Sequence, residues 1–75
     1  MTRQPRATGR EVLAALERGG FHLSHVRGSH HYLLRPDRSR LVVIPVHGNR
    51  VLPAGTMQSI LRQAGFTADE LRDLL

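Results

Sequence analysis

Between Phe21 and Val46 the chain carries three short apolar runs punctuated by two turn signals, Gly28-Ser29 and Pro36-Asp37-Arg38-Ser39. No other feature restricts the fold as much. Runs joined by such tight turns pair with their neighbours as an antiparallel meander. The expected strands are 21–27, 30–35 and 40–46. The third is rich in β-branched residues and reads as the central strand, while Pro45 near its end fits a strand terminus or an edge position. A meander cannot shelter both of its own faces, so helices must cover one and leave the other open.

The flanking segments supply those helices. Thr8-Gly9-Arg10-Glu11 is a capping box, followed by Val12, Leu13, Ala15 and Leu16 on one helical face and by Gly19-Gly20 as a stop. A helix over 9–18 follows. A second helix is expected after Pro53-Ala54-Gly55-Thr56, with Thr56 as N-cap, Met57, Ile60, Leu61 and Ala64 as its apolar stripe and Gly65 as its end. Thr67-Ala68-Asp69-Glu70 is another capping box, opening a short last helix whose apolar side is Leu71, Leu74 and Leu75. Residues 1–7, with Pro5 among polar and basic neighbours, read as a flexible N-terminal arm. Residues 8–75 form a single domain of order α-β-β-β-α-α.

A chain of 75 residues buries a modest fraction of its surface, so this domain is marginal. It has no Cys, which excludes disulfides, thiolate nucleophiles and Cys-containing zinc sites. The longest apolar run, Leu41 to Ile44, is far too short to span a bilayer. The first residues lack the apolar stretch of a secretory signal, so a cytoplasmic location is expected. Net charge is +5, and every one of the eleven basic residues is Arg. Guanidinium forks bind phosphate bidentately and stack on bases. Charge alone fits an anionic partner such as nucleic acid and a solvated surface equally.

Five histidines raise the question of a metal. In a regular strand His22 and His25 point to opposite faces, and so do His30 and His31. There is no H-E-x-x-H and no carboxylate beside any His, so neither a metal nor another cofactor is expected. His22 and His25 read as exposed surface residues. His47 fits a turn cap. It also falls near His30, because antiparallel pairing sets the end of the third strand beside the start of the second. Around His30, Gly28 lets the backbone approach a ligand, and Arg27 and Ser29 offer phosphate donors. An imidazole exchanges protons near neutral pH. A structural turn and a proton-transfer site both fit this spacing, the turn being the commoner. His31 shares a face with Leu33, and His30 with Tyr32 and Leu34. The pattern does not say which face is core.

Taken together, these segments resemble the HicA toxins of toxin–antitoxin systems. The residues that carry the likeness are Glu11-Val12, Gly20-Phe21, Arg27-Gly28-Ser29-His30-His31, Arg35-Pro36-Asp37, Val43-Ile44-Pro45-Val46-His47-Gly48-Asn49, Leu52-Pro53-Ala54-Gly55-Thr56 and Ser59-Ile60-Leu61-Arg62-Gln63-Ala64-Gly65. The likeness runs from about Gly9 to Leu75. It implies an α+β fold like that of a double-stranded-RNA-binding domain, with a three-stranded antiparallel sheet covered on one face by helices. It implies a ribosome-independent, mRNA-cleaving endoribonuclease whose essential histidine falls on His30, and a HicB-like antitoxin protein that blocks it. Arg27 stands where Lys is common. Thr56-Met57-Gln58-Ser59 lacks the Lys cluster of ordinary duplex-binding domains, so duplex binding gains no support.

On that resemblance, His30 would act as general acid or base, with His47 as a candidate second group. Arg27 and the amides of Gly28 and Ser29 would stabilise phosphorane charge, and Arg35, Arg50 and Arg62 would hold the RNA electrostatically. With one Tyr and two Phe the composition offers no stacking platform, so weak sequence preference is expected. The chief competing reading is a non-catalytic RNA-binding module on the same fold. A DNA-binding helix-turn-helix over 57–75 conflicts with Asp69, Glu70 and Asp73 on its second helix. A pure interaction protein is the third.

Overall fold

The computed structural model describes residues 3–75, so the first two residues of the expected arm lie outside the described residues. The elements are α1 (Gly9–Arg18), β1 (His22–Arg27), β2 (His30–Leu34), β3 (Leu41–Pro45), α2 (Ala54–Ala64) and α3 (Ala68–Leu74). The three strands form one antiparallel sheet in the order β1-β2-β3, and this is the α+β, double-stranded-RNA-binding-domain-like arrangement.

Local chemistry starts and stops the helices. In α1 the Thr8 Oγ1 accepts from Glu11 N at 3.1 Å, and Thr8 N donates to Glu11 Oε1 at 2.8 Å. The same pair of bonds recurs at α3 between Thr67 and Glu70. Gly65 closes α2 in the left-handed region at φ +75°. The start of α2 differs from expectation: its N-cap is Pro53, not Thr56. Pro53 holds an extended backbone at φ −58°, ψ 151°, and its carbonyl already accepts from Met57 N. Ring closure presets the entry conformation, so no side-chain cap is required to begin the helix there.

Helices lie on one face of the sheet only. Val12 and Leu16 of α1, Leu33 of β2, Val42 and Ile44 of β3, Met57 and Ile60 of α2, and Leu71 of α3 meet with Phe21 in a single core. Each contributes on the order of 1.5–3 kcal/mol relative to exposure, which offsets the ordering entropy of a small chain. Residues 4–8 do not stand clear of this body. Leu52 N donates to Ala7 O, Thr8 bridges Val51, Gln4 Nε2 donates to Ala54 O, and Ala7 is buried.

β3 is an edge strand, and β2 is central. The apolar character of β3 has another cause: α2 covers its free edge. Gln63 Oε1 accepts from Val43 N at 2.9 Å, and Ser59 Oγ holds the Gln63 amide at 3.0 Å. At the start of β3, Arg40 Nη1 donates to the carbonyls of Arg62 and Gln63, which lie in the last turn of α2. The outward amide of Val43 is therefore satisfied although no strand pairs with β3 on that side.

Candidate functional site on the bare sheet face

Register decides which histidine faces where. Opposed residues in an antiparallel ladder share a face. His31 pairs with Ile44 and Leu33 with Val42, and all but His31 are fully buried, so this is the covered face. His31 is half-buried there, with Nδ1 3.4 Å from Ser29 O. His30 pairs with Pro45 and lies on the bare face, exposed. The adjacent pair thus divides into an inward ring resting against the turn backbone and an outward ring open to solvent.

The turn between β1 and β2 sets the neighbours of His30. Arg27 and His30 are cross-strand partners, closing a two-residue loop. Gly28 has φ +60°, and Ser29 does not share that region. Positive φ at the first loop residue alone is the type II′ pattern, which favours Gly there and matches strand twist. Arg27 and His30 therefore stand side by side on the bare face. Ser29 O is taken by Val46 N at 2.8 Å. Among the described residues, no group accepts from the amides of Gly28 or Ser29.

Three rows of residues make up the bare face. The first is Arg27, His30 and Pro45; the second is His25, Tyr32 and Val43; the third is His22, Leu34 and Leu41. No carboxylate occurs in them, so nothing on this face repels an anion. The third row exists because of an irregularity. β1 shifts register between Leu23 and His25, leaving Ser24 as a bulge. His22 and His25 consequently share the bare face, contrary to the regular-strand expectation that they diverge. The sequence did hold a signal for this. Leu23 and Val26 are apolar at a separation of three, which a regular strand sends to opposite faces. With the bulge Leu23 joins Val26 on the covered side, at the open margin of the sheet, 45% and 49% exposed. His25 and Tyr32 then stack, ring centroids 4.3 Å apart and planes 7° apart, and Ser24 Oγ lies 3.1 Å from His25 Nδ1. Among the described residues no cluster of three or more His, Asp or Glu is placed to hold a metal ion.

The other candidate residues separate into two groups. His47 and Arg50 lie in the exposed loop after β3, beside the 28–29 turn through the Val46–Ser29 bond, and Arg50 N donates to His47 O. Neither the His30 nor the His47 ring makes a hydrogen bond or ring contact among the described residues. Arg35 and Arg62 are not brought to this end. Arg35 follows β2, on the covered side, its guanidinium 5.1 Å from the Phe21 ring and 5.8 Å from the Phe66 ring. Its Nε is buried without a partner. Arg62 is on the last turn of α2, beside Arg40 at the far end of β3, roughly 13 Å along the strand from Pro45.

Fold and site together define a class: a small basic α+β domain with helices on one sheet face and an Arg/His hairpin on the other. The family model described as "HicA toxin of bacterial toxin-antitoxin" matches residues 9–66, and the chain belongs to the HicA toxin family. Among curated proteins, none matches the chain. Among the described residues no helix is long and apolar enough to cross a membrane.

Proposed function

We propose that this toxin is a metal-independent endoribonuclease that cleaves mRNA in the cytoplasm and is neutralised by a HicB-like antitoxin. The observation that supports this most is the cross-strand pairing of Arg27 with His30 on a face free of carboxylates. RNA carries its own nucleophile. His30 removes the 2′-hydroxyl proton, the 2′-oxygen bonds to phosphorus, and the 5′-oxygen leaves with a proton. The products are a 2′,3′-cyclic phosphate and a 5′-hydroxyl end. Arg27 and the free amides of Gly28 and Ser29 meet the charge that grows on the phosphorane oxygens. His47 is the candidate for the second proton transfer, and Arg50 adds a phosphate contact.

General acid–base assistance is worth about 10²–10⁴-fold, so His30→Ala should lower cleavage by that factor while its circular dichroism matches the parent. A 2′-deoxynucleotide at the cut site should stop cleavage, and excess EDTA should leave it unchanged. A folded His30→Ala variant that cuts as fast as the parent overturns the proposal in favour of a different catalytic group. A parent that binds RNA without ever cutting it favours the binding-module reading.

A further inference from the structure

We propose that the stacked His25–Tyr32 pair is a base-binding subsite, taking one unpaired base of single-stranded RNA next to the phosphate held by Arg27 and His30. The proposal rests on the reading that those two residues hold the reacting phosphate.

The pair lies in the row directly behind Arg27 and His30 on the bare face. Two residues along each strand separate the rows, about 6.5 Å. That is comparable to the span from a phosphate to its own base. His25 is exposed on β1, a strand with no neighbour on its outer side, and Tyr32 is half-buried between His25 and the Val43 row. One face of the imidazole is therefore covered by the phenol and the other is open. A base laid on the open face would extend a two-ring stack to three. The Ser24 hydroxyl beside Nδ1 holds the ring in this attitude.

A structural role for the pair explains less. Cross-strand aromatic contacts stabilise a sheet modestly wherever they occur. That role does not call for an exposed ring two residues from a guanidinium on the same face. The composition offers too few Phe and Tyr for a platform, yet imidazole supplies the missing ring. Only an unpaired base can use it, because a paired base is already stacked on both sides. The substrate class is thus a single strand at the cut site, with one base gripped rather than a run of bases.

The test uses the whole chain and short oligoribonucleotides carrying a 2′-deoxynucleotide at the cut site, with binding read by fluorescence anisotropy. An abasic residue is moved along the strand one position at a time. One position beside the cut should weaken binding by about 5- to 100-fold, the range of a single base–aromatic stack. His25→Ala should remove that position's sensitivity, His25→Phe should retain it, and annealing the complementary strand should abolish binding. Thermal melting of both variants should match the parent closely. A flat abasic profile in the parent overturns the subsite, as does undiminished sensitivity in His25→Ala. If His30→Ala is inactive while the profile is flat, the subsite alone fails. If His30→Ala still cleaves, the underlying catalytic reading fails instead.

Discussion

Two glycines in helices should respond to the same substitution with opposite signs. A Cβ built on Gly9, at the first position of α1, would lie 2.3 Å from the Pro45 carbonyl oxygen and 3.2 Å from Val46 Cα. The first distance is about 1 Å short of ordinary contact, and the obstructing atom is backbone, which cannot rotate aside. Either α1 retreats, with Val12 and Leu16 in tow, or the end of β3 gives way. Forcing a methyl into packed surroundings costs about 1–3 kcal/mol. The helical preference of Ala over Gly returns less than about 1 kcal/mol at a first turn. The net loss for Gly9→Ala is about 1–2 kcal/mol, against a total stability of roughly 4–11 kcal/mol for a chain this size. A Cβ on Gly55, in the first turn of α2, meets nothing within 4 Å. Gly55→Ala should therefore gain roughly 0.4–1 kcal/mol by restricting the unfolded chain.

Urea denaturation followed by circular dichroism separates the two. With a slope near 1 kcal/mol per molar, the Gly9→Ala midpoint should fall by about 1–2 M and the Gly55→Ala midpoint should rise by about half a molar or more. Because Pro45 is the cross-strand partner of His30, and Val46 N binds Ser29 O, the amide shifts of Ser29 and His30 report whether the strand moved. A Gly9→Ala variant as stable as Gly55→Ala would refute the close approach of α1 to β3.

Three further outcomes follow from the geometry. Arg35→Ala should cost about 1–2 kcal/mol through lost contact with Phe21 and Phe66 yet leave the salt dependence of RNA binding unchanged, whereas Arg50→Ala should flatten that dependence by about 0.7 in log–log slope; the two are told apart by melting curves and salt titrations. The Glu11 carboxyl is held below its ordinary pKa by the backbone and side-chain hydrogen bonds from Thr8. A depressed folded-state pKa stabilises above the unfolded value and is lost as pH falls through the folded one, so acid titration should weaken the parent more than Glu11→Gln in that window. Deleting Ser24 preserves every cross-strand partner from Leu23–Leu33 to Arg27–His30, so the variant should fold with stability within about 1 kcal/mol of the parent, whereas deleting His25 in its place removes the residue opposite Tyr32; heteronuclear NMR of cross-strand contacts reads both.

The helices were legible because their signals are local. Thr8 with Glu11, and Thr67 with Glu70, bond within one turn, and no distant residue is needed to make that happen. The meander order was legible from its two tight turns, but the edge position of β3 was not, because β3 owes its apolar character in part to an interaction twenty residues away, where Gln63 meets Val43 N. A strand whose edge is covered by a helix looks central to any rule based on composition. Arg35 shows the same limit in a side chain. Its charge suggested phosphate, but two phenyl rings from distant segments, Phe21 and Phe66, claim it. The candidate site was legible at the hairpin and illegible two rows behind it. Gly28-Ser29 marks a turn by itself, so Arg27 and His30 could be paired from the sequence. The placement of His22 on the same face depends on the bulge at Ser24, which only the competing demands of Leu23 and Val26 betray.

Smallness links the bare face to the hairpin. With three short helices, the chain can dry one side of a three-stranded sheet, and that side has no room for a group that must meet solvent and substrate. His31 demonstrates the point: placed on the covered side, it is half-buried and its Nδ1 lies against Ser29 O. On the proposed function, the imidazole that exchanges protons with RNA has to occupy the alternate position, and the strand period of two places His30 there. Most residues that share its face are then either charged or titratable, as Arg27, His22 and His25 are, or half-buried beside one another, as Tyr32, Leu34 and Val43 are; Leu41 at the far row stays exposed. Inserting one residue between His30 and His31 keeps His31 and Leu33 on the covered side, puts the new residue opposite Arg27 and moves His30 off the bare face. Such an insertion should therefore abolish cleavage even where the helices and their capping boxes persist by circular dichroism. Retained cleavage in such a variant would mean that the face presented by His30 does not matter.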